Sequence, residues 1–163
     1  MWADFHTHCA YCDGKGSMQE YVDQAKQLGM LSLGFSSHAP VPFDTKWCMK
    51  AERFDEYTGA VEALKQAVTG IDIYSGLEVD FIPDVTSPNR FSGMVDYTVG
   101  SIHFVDKLPD GRWWEIDGAH APFLDGLIAI FNTNIQSAIV RYFELTREMI
   151  STACPTVVGH LDK

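Results

Sequence analysis

Apolar and polar positions along this chain switch between a two-residue and a 3.6-residue period. Trp2 to His8 is a short apolar-rich run that ends in polar side chains and predicts a strand. Ser17 and Glu20 have capping-box spacing, so a helix is expected over Met18 to Leu28, closed by Gly29. Leu31 to Ser36 predicts a second strand. Phe54, Tyr57, Val61, Leu64 and Val68 keep helical spacing within Ala51 to Val68, which Gly70 ends. Ile71 to Val79 and Tyr97 to Phe104 predict a third and a fourth strand. Leu108-Pro109-Asp110-Gly111-Arg112 carries turn chemistry, with a short returning strand expected at Trp113 to Ile116. Two helices are expected over Pro122 to Phe131 and Asn134 to Ser151, and a fifth core strand over Val157 to His160. Strands alternating with helices predict an α/β fold, a parallel sheet or barrel with right-handed crossovers.

The bulk properties narrow the function classes. A chain of 163 residues can bury one sizeable core, so a single domain is expected. Its 12 Lys and Arg against 22 Asp and Glu give a net charge of -10, which argues against nucleic acid as a partner. No run approaches the roughly 18 apolar residues of a membrane span. Met1 to His6 lacks a basic region followed by an apolar stretch, so no secretory signal is expected and a cytoplasmic location is. Cys9-x-x-Cys12 has the spacing of a redox motif or zinc clamp, yet no second pair accompanies it. With Cys48 and Cys154, these are expected to be reduced thiols, structural or placed behind a site.

The histidines change the picture most. Five of the 6 fall at the ends of predicted strands: His6, His8, His38, His103 and His160. In His6-Thr7-His8 the strand period puts both imidazoles on one face, with Thr7 pointing away. A single histidine after a strand is ordinarily a capping or hydrogen-bonding residue. Recurrence after four different strands points instead to a metal centre at the mouth of a barrel, where strand C-termini meet. Glu78 lies among apolar residues, where a bare carboxylate is costly, and needs a metal or an arginine beside it. Asp80 shares its strand face and is a weaker candidate. Asp13, before Gly14, reads both as a ligand and as a turn residue. His120 stands off the strand ends and is a candidate substrate contact.

Five segments together resemble a known family: Asp4-Phe5-His6-Thr7-His8, Ser36-Ser37-His38-Ala39-Pro40, Gly76-Leu77-Glu78-Val79-Asp80, Gly100-Ser101-Ile102-His103 and Gly159-His160-Leu161-Asp162. In this order they are similar to motifs of the PHP (polymerase and histidinol phosphatase) superfamily, closest to its monofunctional histidinol-phosphatase branch. The resemblance implies a distorted (β/α)7 TIM-like barrel and two or three divalent ions, Zn, Fe or Mn, that drive phosphate monoester hydrolysis. The classical substrate is L-histidinol phosphate, in histidine biosynthesis. By resemblance, His6 and His8 match the first metal pair and Glu78 the bridging carboxylate. His103 and His160 match later ligands, and His38 a ligand of the third metal. Glu78 and His103 are then the catalytic centre. Asp13 falls where many family members carry histidine nearby. The family continues past this length to a late Asp-x-His pair. Residues 1–163 are therefore expected to be one PHP-type phosphoesterase domain lacking its C-terminal part, about five βα units of the barrel. A shortened protein that closes its edge as a homodimer is the other reading.

A small phosphorylated substrate also calls for a cation. Arg141 interrupts the apolar face of the last helix and resembles a family arginine that contacts phosphate; an ion pair with Glu144 or Glu148 is its ordinary alternative. Lys163 is a second candidate. Trp47, Phe104, Trp113 and Trp114 either frame the substrate or pack the core. Three functions stay open: histidinol-phosphate phosphatase, another PHP phosphoesterase acting on nucleotides or small esters, and a non-catalytic metal-binding domain.

Overall fold

The computed structural model describes residues 2–161, so the Lys163 candidate lies outside the described residues. Five strands form one parallel sheet: β1 (Ala3–Thr7), β2 (Ser32–Phe35), β3 (Asp72–Asp80), β4 (Tyr97–Ser101) and, last in chain order, β7 (Val157–Val158). They stand in the order β1-β2-β3-β4-β7, and every pairing is parallel. Between β4 and β7 come the hairpin strands β5 (Phe104–Lys107) and β6 (Trp113–Glu115), which pair with each other apart from the main sheet. The helices are α1 (Met18–Gln27), α2 (Phe54–Ala67), α3 (His120–Phe131) and α4 (Ile135–Thr152). Among the described residues, no single helix is long and apolar enough to cross a membrane.

Local chemistry sets the boundaries. Ser17 caps α1 through its hydroxyl, which accepts from the Glu20 amide at 3.3 Å, while the Ser17 amide donates to the Glu20 carboxylate at 2.7 Å. Gly29 follows with φ of 67°, the left-handed position at which helices stop. Ala51–Arg53 is a 3₁₀ turn rather than the first turn of α2. The third helix begins at His120, two residues before Pro122, which sits in the first turn where no backbone donor is needed. The expected strand over Tyr97 to Phe104 breaks in two, with His103 in the gap between β4 and β5. The Asp80 carboxylate takes the His103 amide at 3.0 Å and so removes that donor from the sheet.

The sheet is curled into part of a barrel wall. The Tyr97 hydroxyl on β4 donates to the Phe5 carbonyl on β1 at 2.9 Å. Three strand spacings of about 4.8 Å would put those strands roughly 14 Å apart in a flat sheet. A tyrosine spans that interval only if the sheet bends around it. Gly34 and Gly76 leave the space that the Tyr97 ring fills, since a Cβ at either would fall inside it. Tyr57 from α2 adds a second tie, donating to the carbonyls of Phe35 at 3.0 Å and Gly76 at 2.7 Å. Two apolar clusters hold the layers. One packs Val22, Phe35, Tyr57, Val61 and Leu77 between the first two helices and the sheet. The other packs Phe81, Ile102, Trp114, Leu145 and Met149 beneath the hairpin, α3 and α4. Full burial of each such side chain contributes about 1.5–3 kcal/mol. The result fixes the C-terminal ends of β1 to β4 side by side.

Candidate metal centre

Five imidazoles, from the ends of β1, β2, β4 and β7, meet around Glu78. Its carboxylate is 1 % exposed and sits near the C-terminal end of β3. Oxygen Oε2 faces His6 Nε2 at 3.1 Å, His8 Nε2 at 3.0 Å and His38 Nδ1 at 3.2 Å. Oxygen Oε1 faces His160 Nε2 at 2.9 Å and His103 Nε2 at 3.4 Å, and accepts the Ser101 hydroxyl at 2.7 Å. The two oxygens thus divide five imidazoles between them. Asp13 joins from the loop after β1, with Oδ1 at 3.0 Å from His8 Nδ1 and 4.0 Å from His38 Nε2. The parallel register explains the convergence: His6 and His8 leave β1, while His38 follows β2 and bridges to Glu78 through backbone pairing. Thr7, between the two histidines, is buried on the other face.

Backing groups hold the ligand-type side chains. Asp80, 3 % exposed, holds His103 twice: Oδ1 accepts its amide and lies 3.0 Å from its Nδ1. The contact places the proton on Nδ1 and leaves the Nε2 lone pair facing Glu78. The Tyr142 hydroxyl donates to the His160 carbonyl at 2.9 Å. Asp117 lies beyond β6, with Oδ2 at 3.8 Å from His103 Nε2. All four cysteines are free. Cys12 Sγ is 3.4 Å from Asp13 Oδ1, and Cys9 packs against the Ser37 hydroxyl at 3.3 Å, so the Cys-x-x-Cys turn braces this side of the cluster.

The electrostatics of the cluster favour cations. Burial alone would push the Glu78 carboxyl up, but the imidazoles of His160, His6 and His8 close against it outweigh burial and hold it far below the usual carboxylate range. Burial pulls the His38 imidazole down to about 3, against the attraction of Glu78. Burial acts downward on His8 too, yet its contacts with Cys12, Glu78 and Asp13 raise it to about 11. The two adjoining imidazoles, His8 and His38, are thus driven in opposite directions, so protons do not occupy both. His8 Nε2 and His38 Nδ1 are fully buried and, close as they are to Glu78, make no hydrogen bond of sound geometry among the described residues. Orphaned buried nitrogens converging on a carboxylate are a donor set for Zn, Fe or Mn. Three groups have ligand atoms mutually within 4.8 Å: His6, Glu78 and His160; His8, Asp13 and His38; and His38, Glu78 and His103.

The other expected site residues lie apart. His120 begins α3 as an exposed residue and takes no part in these three groups. Arg141 on α4 is 3.6 Å from Glu144, as in its ordinary reading. It also lines a cavity of about 160 Å³ with Phe104, Trp113 and Leu145. Of the aromatics, Phe104 and Trp114 are core, whereas Trp47 and Trp113 are half-buried. Asp117 was invisible in the sequence, where Asp117-Gly118 signals only a turn.

Comparison with known proteins agrees with the geometry. The PHP domain family model matches residues 4–163. The chain is 29% identical over 167 residues to the "Probable histidinol-phosphatase" of Deinococcus radiodurans, covering 98% of this chain and 60% of that protein. It is 26% identical to the namesake of Schizosaccharomyces pombe, over 96% of this chain and 54% of the relative. HisK of Listeria monocytogenes superposes with a TM-score of 0.76 at 20% identity, covering 92% of this chain and 61% of that one. Histidinol phosphate phosphatase of Lactococcus lactis, solved with zinc, L-histidinol and phosphate, gives 0.63 at 18% identity over 99% and 57%. The chain thus spans between half and two thirds of the length of the proteins it matches. With a family match across nearly all its residues, and a curled parallel sheet carrying histidines at its strand ends, this chain belongs to the PHP domain family.

Proposed function

We propose that this chain carries most of the metal centre of a phosphoric monoester hydrolase, and that its substrate is L-histidinol phosphate. The observation that carries the reading is the sharing of one buried carboxylate, Glu78, among five imidazoles from four strand ends. His6 and His160 with Glu78 would hold one divalent ion, His38 and His103 with Glu78 a second, and His8, Asp13 and His38 are the group for a third. When bound, such ions neutralise phosphoryl charge and acidify a water at neutral pH.

The chain's own groups do the rest. Glu78 and Asp13 are anionic and would repel a phosphate dianion, so this mouth accepts the substrate only when it also holds cations. Asp80 fixes the tautomer and aim of His103. Ser101 holds the Glu78 carboxylate against rotation, and Tyr142 anchors the backbone at His160. Arg141 on α4 lines a cavity with Phe104 and Trp113 and would supply a fork for phosphate oxygens. Relatives named histidinol-phosphatase, and a structural neighbour holding zinc, L-histidinol and phosphate, support the choice of substrate.

The test is steady-state kinetics of the metal-loaded protein on L-histidinol phosphate, a nucleoside monophosphate and an aryl phosphate. Selective turnover of L-histidinol phosphate is expected. Preference for the nucleotide would move the substrate to another PHP class, and bound metal with no turnover of any ester would leave a non-catalytic metal-binding domain.

A further inference from the structure

The hairpin after β4 brings a third carboxylate to His103. Asp80 Oδ1 lies 3.0 Å from Nδ1 of that ring. At the other nitrogen, Nε2, Glu78 Oε1 lies at 3.4 Å and Asp117 Oδ2 at 3.8 Å. The backbone carries Asp117 there. β5 and β6 pair antiparallel with Phe104 opposite Glu115, and the Ile116 amide donates to the His103 carbonyl at 3.0 Å. The residue after Ile116 is thereby delivered to the His103 ring. Its side chain is 30 % exposed, whereas His103 and Glu78 are buried, so this carboxylate stands at the solvent edge of the centre.

This arrangement calls for a cation. With the Nδ1 proton directed at Asp80, the Nε2 lone pair and two carboxylate oxygens crowd one place, and they repel unless positive charge lies among them. Zinc takes nitrogen and carboxylate oxygen at about 2.0–2.2 Å, so two ligand atoms on one ion lie within about 4.4 Å of each other. Both contacts of Nε2, at 3.4 and 3.8 Å, fall inside that limit. A second proton on the ring would relieve the same repulsion, and metal affinity tells the two apart.

We infer that Asp117 is a metal-binding residue, which adds a carboxylate from the hairpin to the ion held by His38, Glu78 and His103, and that this ion clamps β5 and β6 against the main sheet. The five imidazoles around Glu78 come from strand ends of that sheet, whereas Asp117 comes from the hairpin, so occupancy of the ion is coupled to the hairpin's position. The inference rests on the metal-centre reading and is independent of which ester is the substrate.

Two measurements on the full chain test it, with zinc alone as the probe. In chelator-competition titration, Asp117→Asn should weaken one zinc site at least about tenfold, the lower end of what loss of a merely orienting group costs. Asp117→Glu keeps a carboxylate and should recover part of that loss. In hydrogen–deuterium exchange followed by mass spectrometry, zinc should slow exchange at the amides of β5 and β6 in the wild type. That protection should be lost in Asp117→Asn, while protection by zinc at the end of β3 persists and the metal-free variant exchanges like the metal-free wild type. Undiminished zinc affinity in Asp117→Asn, or a hairpin that zinc still protects in full, overturns the inference. Faster hairpin exchange in the metal-free variant, with zinc affinity intact, overturns it too and marks a carboxylate that only pairs with an imidazolium. Wild-type protein that binds no zinc sinks the metal centre itself and the inference with it.

Discussion

Asp80 offers the sharpest perturbation, because its contacts separate metal affinity from stability. Its Oδ1 receives the His103 amide and faces His103 Nδ1, each at 3.0 Å, at a position 3 % exposed. Asp80→Asn keeps an oxygen in the same place and so keeps both contacts, but removes the charge that raises the basicity of the ring. Loss of such a backing carboxylate costs about 10–100-fold in metal affinity, or about 1.4–2.7 kcal/mol. Asp80→Ala removes the acceptor and strands two buried donors, at about 1–3 kcal/mol of fold stability each. Chelator-competition titration with zinc measures the first effect, and urea unfolding of the metal-free protein the second. The expected pattern is a weaker metal site with a near-normal unfolding midpoint in the Asn variant, and loss of both in the Ala variant. Undiminished zinc affinity in Asp80→Asn would refute the claim that this carboxylate tunes His103 for a metal.

Other expectations follow from the same geometry. Glu78→Gln should lose at least one ion per chain by elemental analysis and lose turnover, while circular dichroism stays close to wild type; full metal content would contradict the shared-carboxylate arrangement. Tyr57→Phe removes a buried hydroxyl that serves two carbonyls and should lower stability by about 1 kcal/mol in denaturant unfolding, without changing metal content. Gly126→Ala would drive a methyl into the Trp114 indole and should destabilise by about 1–3 kcal/mol or more; an unchanged midpoint would mean that α3 can shift freely over the hairpin. Arg141→Ala should leave metal content intact and raise KM for the phosphate ester. Unchanged kinetics would return that residue to its pairing with Glu144.

Much of the architecture could be read in advance because its signals are local. The Ser17 and Glu20 cap, the Pro109-Asp110-Gly111 turn and the two-residue spacing of His6 and His8 each sit within a few residues of what they specify. The meeting of the histidines was legible for a different reason: parallel strands bring their C-terminal ends to one rim, so residues scattered through the chain share a place once the βα alternation is recognised. What escaped was non-local. Asp80 looked secondary because its partner, His103, is 23 residues away. The same contact ends β4 early, and no propensity announces that break. Arg141 shows the limit of a helix pattern, which gives the face but not the reach; the ion pair with Glu144 and the cavity with Trp113 both lie on it. Asp117 owes its place beside His103 to a hairpin that folds back on the sheet, and a turn-forming Asp-Gly carries no trace of that.

Anomalous diffraction from crystals of the metal-loaded protein, collected at the zinc, iron and manganese edges, tests the central claim most directly. The account predicts at least two anomalous peaks flanking Glu78, one beside each carboxylate oxygen, with imidazole nitrogens about 2.0–2.1 Å from the ions if they are zinc. Absence of anomalous density at Glu78 in metal-loaded crystals, or ions bound only elsewhere on the chain, would contradict it.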